Sequence, residues 1–445
     1  MRKLRLKKRN SLALLFVSCL IGCSGPQTEK SNQSEDENII EINASEESIN
    51  DKQHHTGPSY YDDTKNNGVT VNSSLTSSTK KKPNIRVYVE NSGSMYGYVG
   101  TGVGSDFRNM VYNYLTDINS GIFDSLHLNF VNSSIIPRGS SIDDFVRRLE
   151  PSTFKVSGGN SGTTDIAEIV KRVFPSENVV SVLVSDCIIS PGKGNNASEY
   201  LVNQQTGIKG FLIHQKNLGQ TGVIIYRMLG HFKGYYYDTI DHKKHYDGTR
   251  PYYIWVMGDI QHLKKLRNVT EPKMKTPPDE ICVISMGNSK LKYSIVPAGG
   301  KYQISRSDRF TIEKLKKVKT THGERAVVKL NADFSKMLQD DSYLTDVSNY
   351  EVSDKMYRVD NVIKSNSNQY VITISSPVIK KGTVYVRLKN KPPQWVNRCS
   401  DTDGGFPNPN TKLQTTYGLS YLIGGAYDAY TFNGDNLAEM KITIK

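Results

Sequence analysis

Five apolar runs lie between residues 84 and 260, each the length of one strand, and they set the fold available to this chain. Several of the runs are nearly continuous rather than alternating, which is typical of strands covered on both faces. They occupy residues 85–89, 126–131, 179–185, 222–229 and 252–257.

Segments with helical periodicity separate these runs, because their apolar residues recur at spacings that place them on one face. The first face holds Phe107, Met110, Val111, Tyr114 and Ile118. The second holds Ile166, Ile169, Val170, Val173 and Phe174, directly before Pro175. Strands that alternate with helices predict an α/β domain over residues 84–270, with a mostly parallel sheet flanked by helices.

The pattern changes beyond residue 270, where short runs alternate apolar and polar residues and turns are frequent. Such runs are typical of antiparallel sheets. They occupy residues 281–285, 292–296, 325–330, 369–375 and 383–388. We therefore predict a β-rich, sandwich-like second domain over residues 271–445.

The start of the chain has the order of an export signal. Residues 1–9 carry six cations, and the apolar run that follows is shorter than the roughly 20 residues that span a bilayer. Residues 20–23, Leu-Ile-Gly-Cys, resemble the lipobox of bacterial lipoproteins, whose cysteine becomes the lipidated first residue of the mature chain. We predict a signal peptide at residues 1–22 and a membrane anchor through lipid on Cys23. The alternative is an ordinary secretion signal that contains a chance cysteine.

Residues 23–83 join this anchor to the predicted domains. They are rich in Ser, Asn, Glu, Asp and Lys, and Tyr60 and Tyr61 are their only aromatic residues. A segment of this composition buries too little apolar area to offset its ordering entropy. We predict a lipidated cysteine followed by a disordered stalk.

The net charge of +13 comes from the start of the chain and from residues 84–445, whereas residues 24–83 carry ten acids and six lysines. Beyond the start of the chain, Lys80, Lys81 and Lys82 form a basic run, and no aromatic residues are interleaved with them. Because nucleic-acid sites combine clustered cations with a recognition motif, we expect no nucleic-acid partner.

Three loops carry oxygen ligands where predicted strands end or helices begin. Glu90-Asn91-Ser92-Gly93-Ser94 leaves the first strand, Gly162-Thr163-Thr164-Asp165 opens a helix, and Asp186 follows the strand 179–185. In open sheets of this class, ligands bind beyond the carboxyl ends of the strands. The loops therefore predict one shared site.

These loops resemble the metal-ion-dependent adhesion site of von Willebrand factor type A domains. That pattern is Asp-x-Ser-x-Ser, then a threonine at a helix start, then an aspartate that ends a later strand. The resemblance covers roughly residues 84–260 and implies a Rossmann-like sheet. It implies that Ser92 and Ser94 bind the cation directly and Thr164 directly or through water, whereas Glu90 and Asp186 act mostly through water.

Hydroxyl, carboxylate and water oxygens are hard ligands, so the predicted cation is Mg²⁺, with Mn²⁺ or Ca²⁺ as alternatives. Neutral hydroxyls leave most of the cation's charge unquenched, so an acidic group of a partner can complete the coordination. Glu90 departs from the family pattern, which has aspartate there. Its longer side chain either binds the metal directly, excludes it, or is accommodated by the loop.

Each candidate also has a purely structural interpretation. Ser92 and Ser94 fit a turn that satisfies backbone groups. Thr164 or Asp165 fits a helix cap, and Glu168 would complete a capping box. Asp186 fits a strand-end acceptor.

Other motifs are weaker. The glycines between Gly97 and Gly104 do not match a dinucleotide loop, because G-x-G-x-x-G is absent. His242 and His245 lie among aspartates, which permits a transition-metal site, but intervening lysines favour a polar hairpin or an exposed loop.

The sequence thus predicts a lipid-anchored binding protein of the cell envelope. Its predicted partner is a protein that offers a carboxylate, or a glycan, and binding depends on the cation. Alternatives are a metal-dependent envelope hydrolase with Glu90 or Asp186 as general base, and a metal-free scaffold of an envelope complex. In a bacterium with two membranes, Ser24 after Cys23 favours the outer one.

Overall fold

The computed structural model describes residues 82–100, 105–160, 162, 165–287, 291–298, 301–366, 368–410 and 412–445. These residues belong to one unit of the chain, Ser77–Lys445. The predicted signal peptide, Cys23 and the predicted stalk up to residue 81 lie outside them. Within the described ranges, every helix is too short or too polar to cross a bilayer.

A mixed sheet of seven strands forms the first part of the fold. Its strands are β1 (Asn84–Glu90), β2 (Leu126–Val131), β3 (Ile135–Pro137), β4 (Val179–Ser185), β5 (Thr221–Tyr237), β6 (Lys243–Asp259) and β7 (Glu280–Ser285). Their spatial order is β3-β2-β1-β4-β6-β5-β7. Only β1 pairs in parallel, with β2 and with β4, and the other four neighbouring pairs of this sheet are antiparallel.

The predicted mostly parallel sheet is therefore wrong. Near-continuous apolar runs report that strands are buried on both faces, but they carry no information on strand direction. The turn between β5 and β6 spans only residues 238–242, and so short a connection joins antiparallel strands. β7, which the sequence assigned to the second domain, then pairs antiparallel with β5.

Helices accompany this sheet. They are α1 (Ser105–Ile118), α2 (Ile142–Arg147), α3 (Pro151–Phe154), α4 (Ile166–Val173), α5 (Ala197–Ile213) and α6 (Ile260–Thr270). The predicted apolar faces of α1 and α4 are confirmed, since their residues are buried, with Phe174 at the end of α4 partly exposed. Short 3-10 helices cover Gly93–Tyr98, Leu218–Gln220, Glu271–Lys273 and Val347–Asn349.

Short strands dominate the rest of the chain. They are β8 (Lys292–Ile295), β9 (Gln303–Ile304), β10 (Thr311–Glu313), β11 (Lys317–Thr320), β12 (Gly323–Asp333), β13 (Tyr350–Val352), β14 (Arg358–Lys364), β15 (Gln369–Ser376), β16 (Gly382–Lys389), β17 (Ser400–Asp401), β18 (Thr416–Tyr417) and β19 (Asn436–Ile444). The helices are α7 (Asp341–Thr345), α8 (Gln394–Arg398) and α9 (Leu419–Tyr430). One sheet has the order β13-β16-β19-β10-β9, and another has β11-β12-β15-β14 with β8 paired to β12.

These two sheets share a second hydrophobic core, to which β12, β15, β16 and β19 contribute alternate residues. The β-rich prediction for residues 271–445 thus agrees with the structure only in part. β7, α8 and α9 pack into the core of the first sheet instead. α9 lies against α5 so closely that a Cβ on Gly425 would be 2.6 Å from the Gln205 carbonyl oxygen.

The hairpin of β5 and β6 extends past its neighbours in the sheet. β4 pairs with β6 only from residue 253 onward, and β7 pairs with β5 only up to residue 227. We call residues 228–252 the hairpin arm. The arm packs on the 3-10 helix Gly93–Tyr98. The Phe232 ring lies against Gly97, and its centroid is 5.1 Å from the centroid of the Tyr98 ring. The loop that leaves β1 is therefore covered by the arm.

Candidate functional site

Neighbouring parallel strands bring two of the predicted loops together. Residues 84–89 of β1 pair in register with residues 179–184 of β4, so Glu90 and Ser185 end the two strands at the same edge of the sheet. Ser92 and Ser94 follow β1, and Asp186 follows β4. We call Glu90, Ser92, Ser94 and Asp186 the oxygen cluster.

The two serines of the oxygen cluster contact one another. Their Oγ atoms are 3.0 Å apart. Ser92 is the N-cap of the 3-10 helix Gly93–Tyr98, but its side chain makes no capping hydrogen bond there. The Ser92 hydroxyl therefore does not cap the helix, and it interacts with Ser94 and with the Glu90 carboxyl instead.

Glu90 is buried, with 3% of its surface exposed. The Ser185 hydroxyl donates to Glu90 Oε2 at 2.5 Å, and the Cys187 amide donates to the Ser185 oxygen at 2.8 Å. Burial, and then the negative charge of Asp186, raises the pKa of Glu90 to about 8. Glu90 therefore retains a proton at neutral pH unless a positive charge is brought to it.

Asp186 is equally buried, with 2% exposed. Its Oδ1 accepts a hydrogen bond of 3.4 Å from the Ile188 amide, whereas Oδ2 has no hydrogen-bond partner among the described residues. Burial raises the Asp186 pKa, and the nearby Arg250 charge and Ser94 hydroxyl act against that rise. A buried oxygen without a partner is unusual, because desolvating it is costly.

Arg250 is the functional candidate that sequence reasoning missed. It lies in the hairpin arm with 1% of its surface exposed. Its guanidinium carbon is 4.6 Å from the centroid of the Tyr236 ring and 5.5 Å from that of Phe232. The only signal in the sequence is an arginine two residues before the apolar run 252–257.

The third predicted loop contributes differently. Thr164 lies outside the described residues. Asp165 is the N-cap of α4, where its Oδ1 accepts from the amides of Ala167 and Glu168 at 3.0 and 3.1 Å. Its Oδ2 accepts from the hydroxyl of Tyr200 and the side-chain amide of Gln204. Asp165 is thus a capping residue with both oxygens engaged.

The histidines of the segment 235–247 belong to the hairpin that the sequence favoured. Asp238 accepts from the His242 amide at 2.8 Å in the turn, and β6 begins at Lys243. The described residues contain no group of three or more His, Cys, Asp or Glu side chains arranged to hold a metal ion.

The oxygen cluster nevertheless offers the oxygen ligands that a hard cation prefers. Two hydroxyls and two carboxylates converge at one sheet edge, and one carboxylate oxygen is buried without a partner in the described structure. Such oxygens suit Mg²⁺, Mn²⁺ or Ca²⁺. The residues present therefore fit the predicted ion.

No family model, no curated protein and no solved structure matches this chain. The resemblance to type A domains stays a prediction that rests on the loop residues, because the mostly parallel sheet that it implied is not found.

Proposed function

We propose that this protein is a lipid-anchored binding protein of the cell envelope. At its oxygen cluster it takes one divalent cation and, through that ion, an acidic group on a protein or glycan partner. The bound ion supplies positive charge at a buried sheet edge. The lipid on Cys23 and the stalk, both inferred from sequence, hold the folded part near a membrane.

The observation that carries this proposal is the buried Oδ2 atom of Asp186, which has no hydrogen-bond partner in the part of the chain that the structure describes. A buried carboxylate oxygen without a hydrogen bond costs on the order of 1–3 kcal/mol or more. Ser94 lies beside Asp186, and its hydroxyl is in turn 3.0 Å from that of Ser92. A cation bound to these oxygens removes the cost and favours the ionised carboxylates.

Charge balance supports an acidic ligand. With both acids ionised, Glu90, Asp186 and the nearby Arg250 carry one net negative charge. A divalent ion reverses that sign and leaves one net positive charge, which a single carboxylate neutralises.

Isothermal titration calorimetry of the full chain with MgCl₂, MnCl₂ and CaCl₂ tests the site. We expect saturable binding of at least one cation, and loss of that binding in Asp186→Asn. Asp247→Asn, which changes an exposed aspartate of the hairpin arm, is the matched control and should bind as the wild type does. Absence of heat with all three salts would overturn the proposal.

A metal-free structural role is the second candidate. It is favoured by Arg250, which already brings a positive charge to Asp186, and by the hydrogen bond from Ser185 to Glu90. Under this alternative, Asp186→Asn lowers the free energy of unfolding equally with and without chelator. Under cation binding, chelator destabilises only the wild type.

A further inference from the structure

Arg250 is buried with unused hydrogen-bond donors. Neither Nη1 nor Nη2 has a hydrogen-bond partner in the described part of the chain, although only 1% of the residue is exposed. The rings of Phe232 and Tyr236 stabilise its charge and hold the guanidinium plane. The ring faces accept no conventional hydrogen bonds, so Nη1 and Nη2 are unpaired in the described part of the chain, with the Tyr98 hydroxyl as a nearby polar group.

The guanidinium and the oxygen cluster belong to one site. Its charge acts on Asp186, whose Oδ2 is also without a partner in the described structure. It acts as well on Tyr98, at the end of the 3-10 helix that carries Ser94. The Tyr98 hydroxyl donates to the carbonyl oxygen of Pro251, the residue after Arg250, so the 3-10 helix that carries Ser94 is bonded to the strand segment that carries the guanidinium.

The hairpin arm fixes this arrangement. Arg250 is opposite Gly230 in the β5–β6 register, and the following Pro251 accepts a hydrogen bond of 2.5 Å from the Tyr98 hydroxyl. A Cβ on Gly230 would be 2.9 Å from the Tyr252 ring, so the arm is tightly packed at this point. Arg250 is therefore presented by a packed element rather than by a loose surface loop.

Arginine suits a particular ligand chemistry. Its planar fork of N–H donors matches the two oxygens of a carboxylate and can bind both at once. An arginine with free donors beside a cation site therefore indicates where the second oxygen of an acidic ligand is held.

We propose that Arg250 is the specificity-determining residue of this site and binds the acidic group of the ligand. The inference rests on the proposed function, because the same acidic group contacts the cation at the oxygen cluster. Glu90, Ser92 and Asp186 are each less than 5% exposed, which excludes a flat protein surface as the contacting group. The ligand is a slender carboxylate, namely the side chain of an aspartate or glutamate of a protein partner.

The test uses the full chain saturated with Mg²⁺ and a blocked Gly-Asp-Gly peptide, with Gly-Asn-Gly as the uncharged probe. Calorimetry should show binding of the Asp peptide only. Arg250→Met should weaken peptide binding at least about tenfold and leave Mg²⁺ affinity equal or higher, because a positive charge beside the ion is removed. Arg250→Lys should weaken peptide binding to a smaller extent, since it keeps the charge and loses the fork.

Arg138→Met is the matched control. It removes another arginine that lies over an aromatic ring, 5.3 Å from the Phe130 centroid, and that donates to the Ser157 carbonyl. Peptide binding should not change in this variant. If Arg250→Met unfolds at a lower urea concentration than the wild type does, peptide binding by the Arg250→Lys variant is the test of the role of Arg250.

The outcomes separate the two proposals. If the wild type takes up none of Mg²⁺, Mn²⁺ and Ca²⁺, the proposed function fails. If Mg²⁺ binds but the peptide binds equally to wild type, Arg250→Lys and Arg250→Met, only the role of Arg250 fails. Tighter binding of inorganic phosphate than of the Asp peptide would likewise overturn the carboxylate assignment.

Discussion

Ser185 and Glu90 are joined by a hydrogen bond of 2.5 Å across neighbouring parallel strands. The contact lies within the sheet edge, where Glu90 is almost fully buried. It links the end of β4 to the oxygen cluster. The protonation state of Glu90 therefore affects the stability of the fold as well as the binding of a ligand.

Glu90 should make stability depend on pH. Its pKa is raised from the ordinary 4.5 to about 8 in the folded state, chiefly by burial. Between these values the folded chain holds a proton that the unfolded chain releases, so stability is highest below the lower value and is lost as pH rises through the higher one. Without added cation, we expect the free energy of unfolding to fall by roughly 2–4 kcal/mol between about pH 5 and about pH 8.

Urea denaturation in the presence of chelator measures this effect. Glu90→Gln should remove most of the pH dependence, whereas Glu177→Gln, which changes an exposed glutamate, should keep it. If the free energy of unfolding changes with pH to the same extent in wild type and Glu90→Gln, Glu90 does not titrate as described.

Asp165→Ala should lower the stability of the fold and leave the cation affinity unchanged. The variant removes the N-cap of α4, which accepts from two backbone amides, and should cost about 0.5–2 kcal/mol. Calorimetry at a temperature where the variant is folded should show unchanged cation affinity. A loss as large as that of Asp186→Asn would instead make Asp165 a ligand.

Gly97→Ala should weaken the contact between the hairpin arm and the 3-10 helix. The added Cβ would be 2.2 Å from Cε2 of Phe232, so a side chain or the arm must shift, at a cost of about 1–3 kcal/mol. Gly210→Ala is the control, because its Cβ meets nothing within 4 Å and alanine should stabilise α5 by roughly 0.5–1 kcal/mol. Equal unfolding midpoints for the two variants in urea would contradict this packing.

Cys23→Ser should release the chain from the membrane. In cells fed a radiolabelled fatty acid, the wild type should carry label and sediment with membranes. The variant should carry no label and remain in the supernatant, because no other anchor is predicted. Labelled Cys23→Ser protein would exclude Cys23 as the lipid site.

Part of the site could be predicted from local patterns. The strands that end at Glu90 and Ser185 were recognisable as buried runs, and polar residues directly after them mark a ligand-binding edge. The structure brings Ser92, Ser94 and Asp186 to that edge. Thr164 stays a prediction, since it lies outside the described residues.

Arg250 could not be found in this way. The neighbouring segment 235–247 indicated a polar hairpin or an exposed loop, whereas Arg250 is buried because the arm folds back on the helix Gly93–Tyr98. That contact joins segments more than 130 residues apart, as the Tyr98 bond to Pro251 illustrates with a separation of 153 residues. A local sequence pattern does not indicate a contact between such distant segments.

The sequence by itself determined that β1, β2 and β4 are buried strands, which faces of α1 and α4 are apolar and which oxygens follow β1 and β4, because each depends on neighbouring residues. Tertiary structure alone decided the direction of β5, β6 and β7, the entry of α9 into the first core and the position of Arg250. These features depend on pairing and packing between distant segments, whose energies are set by the whole fold rather than by any local pattern.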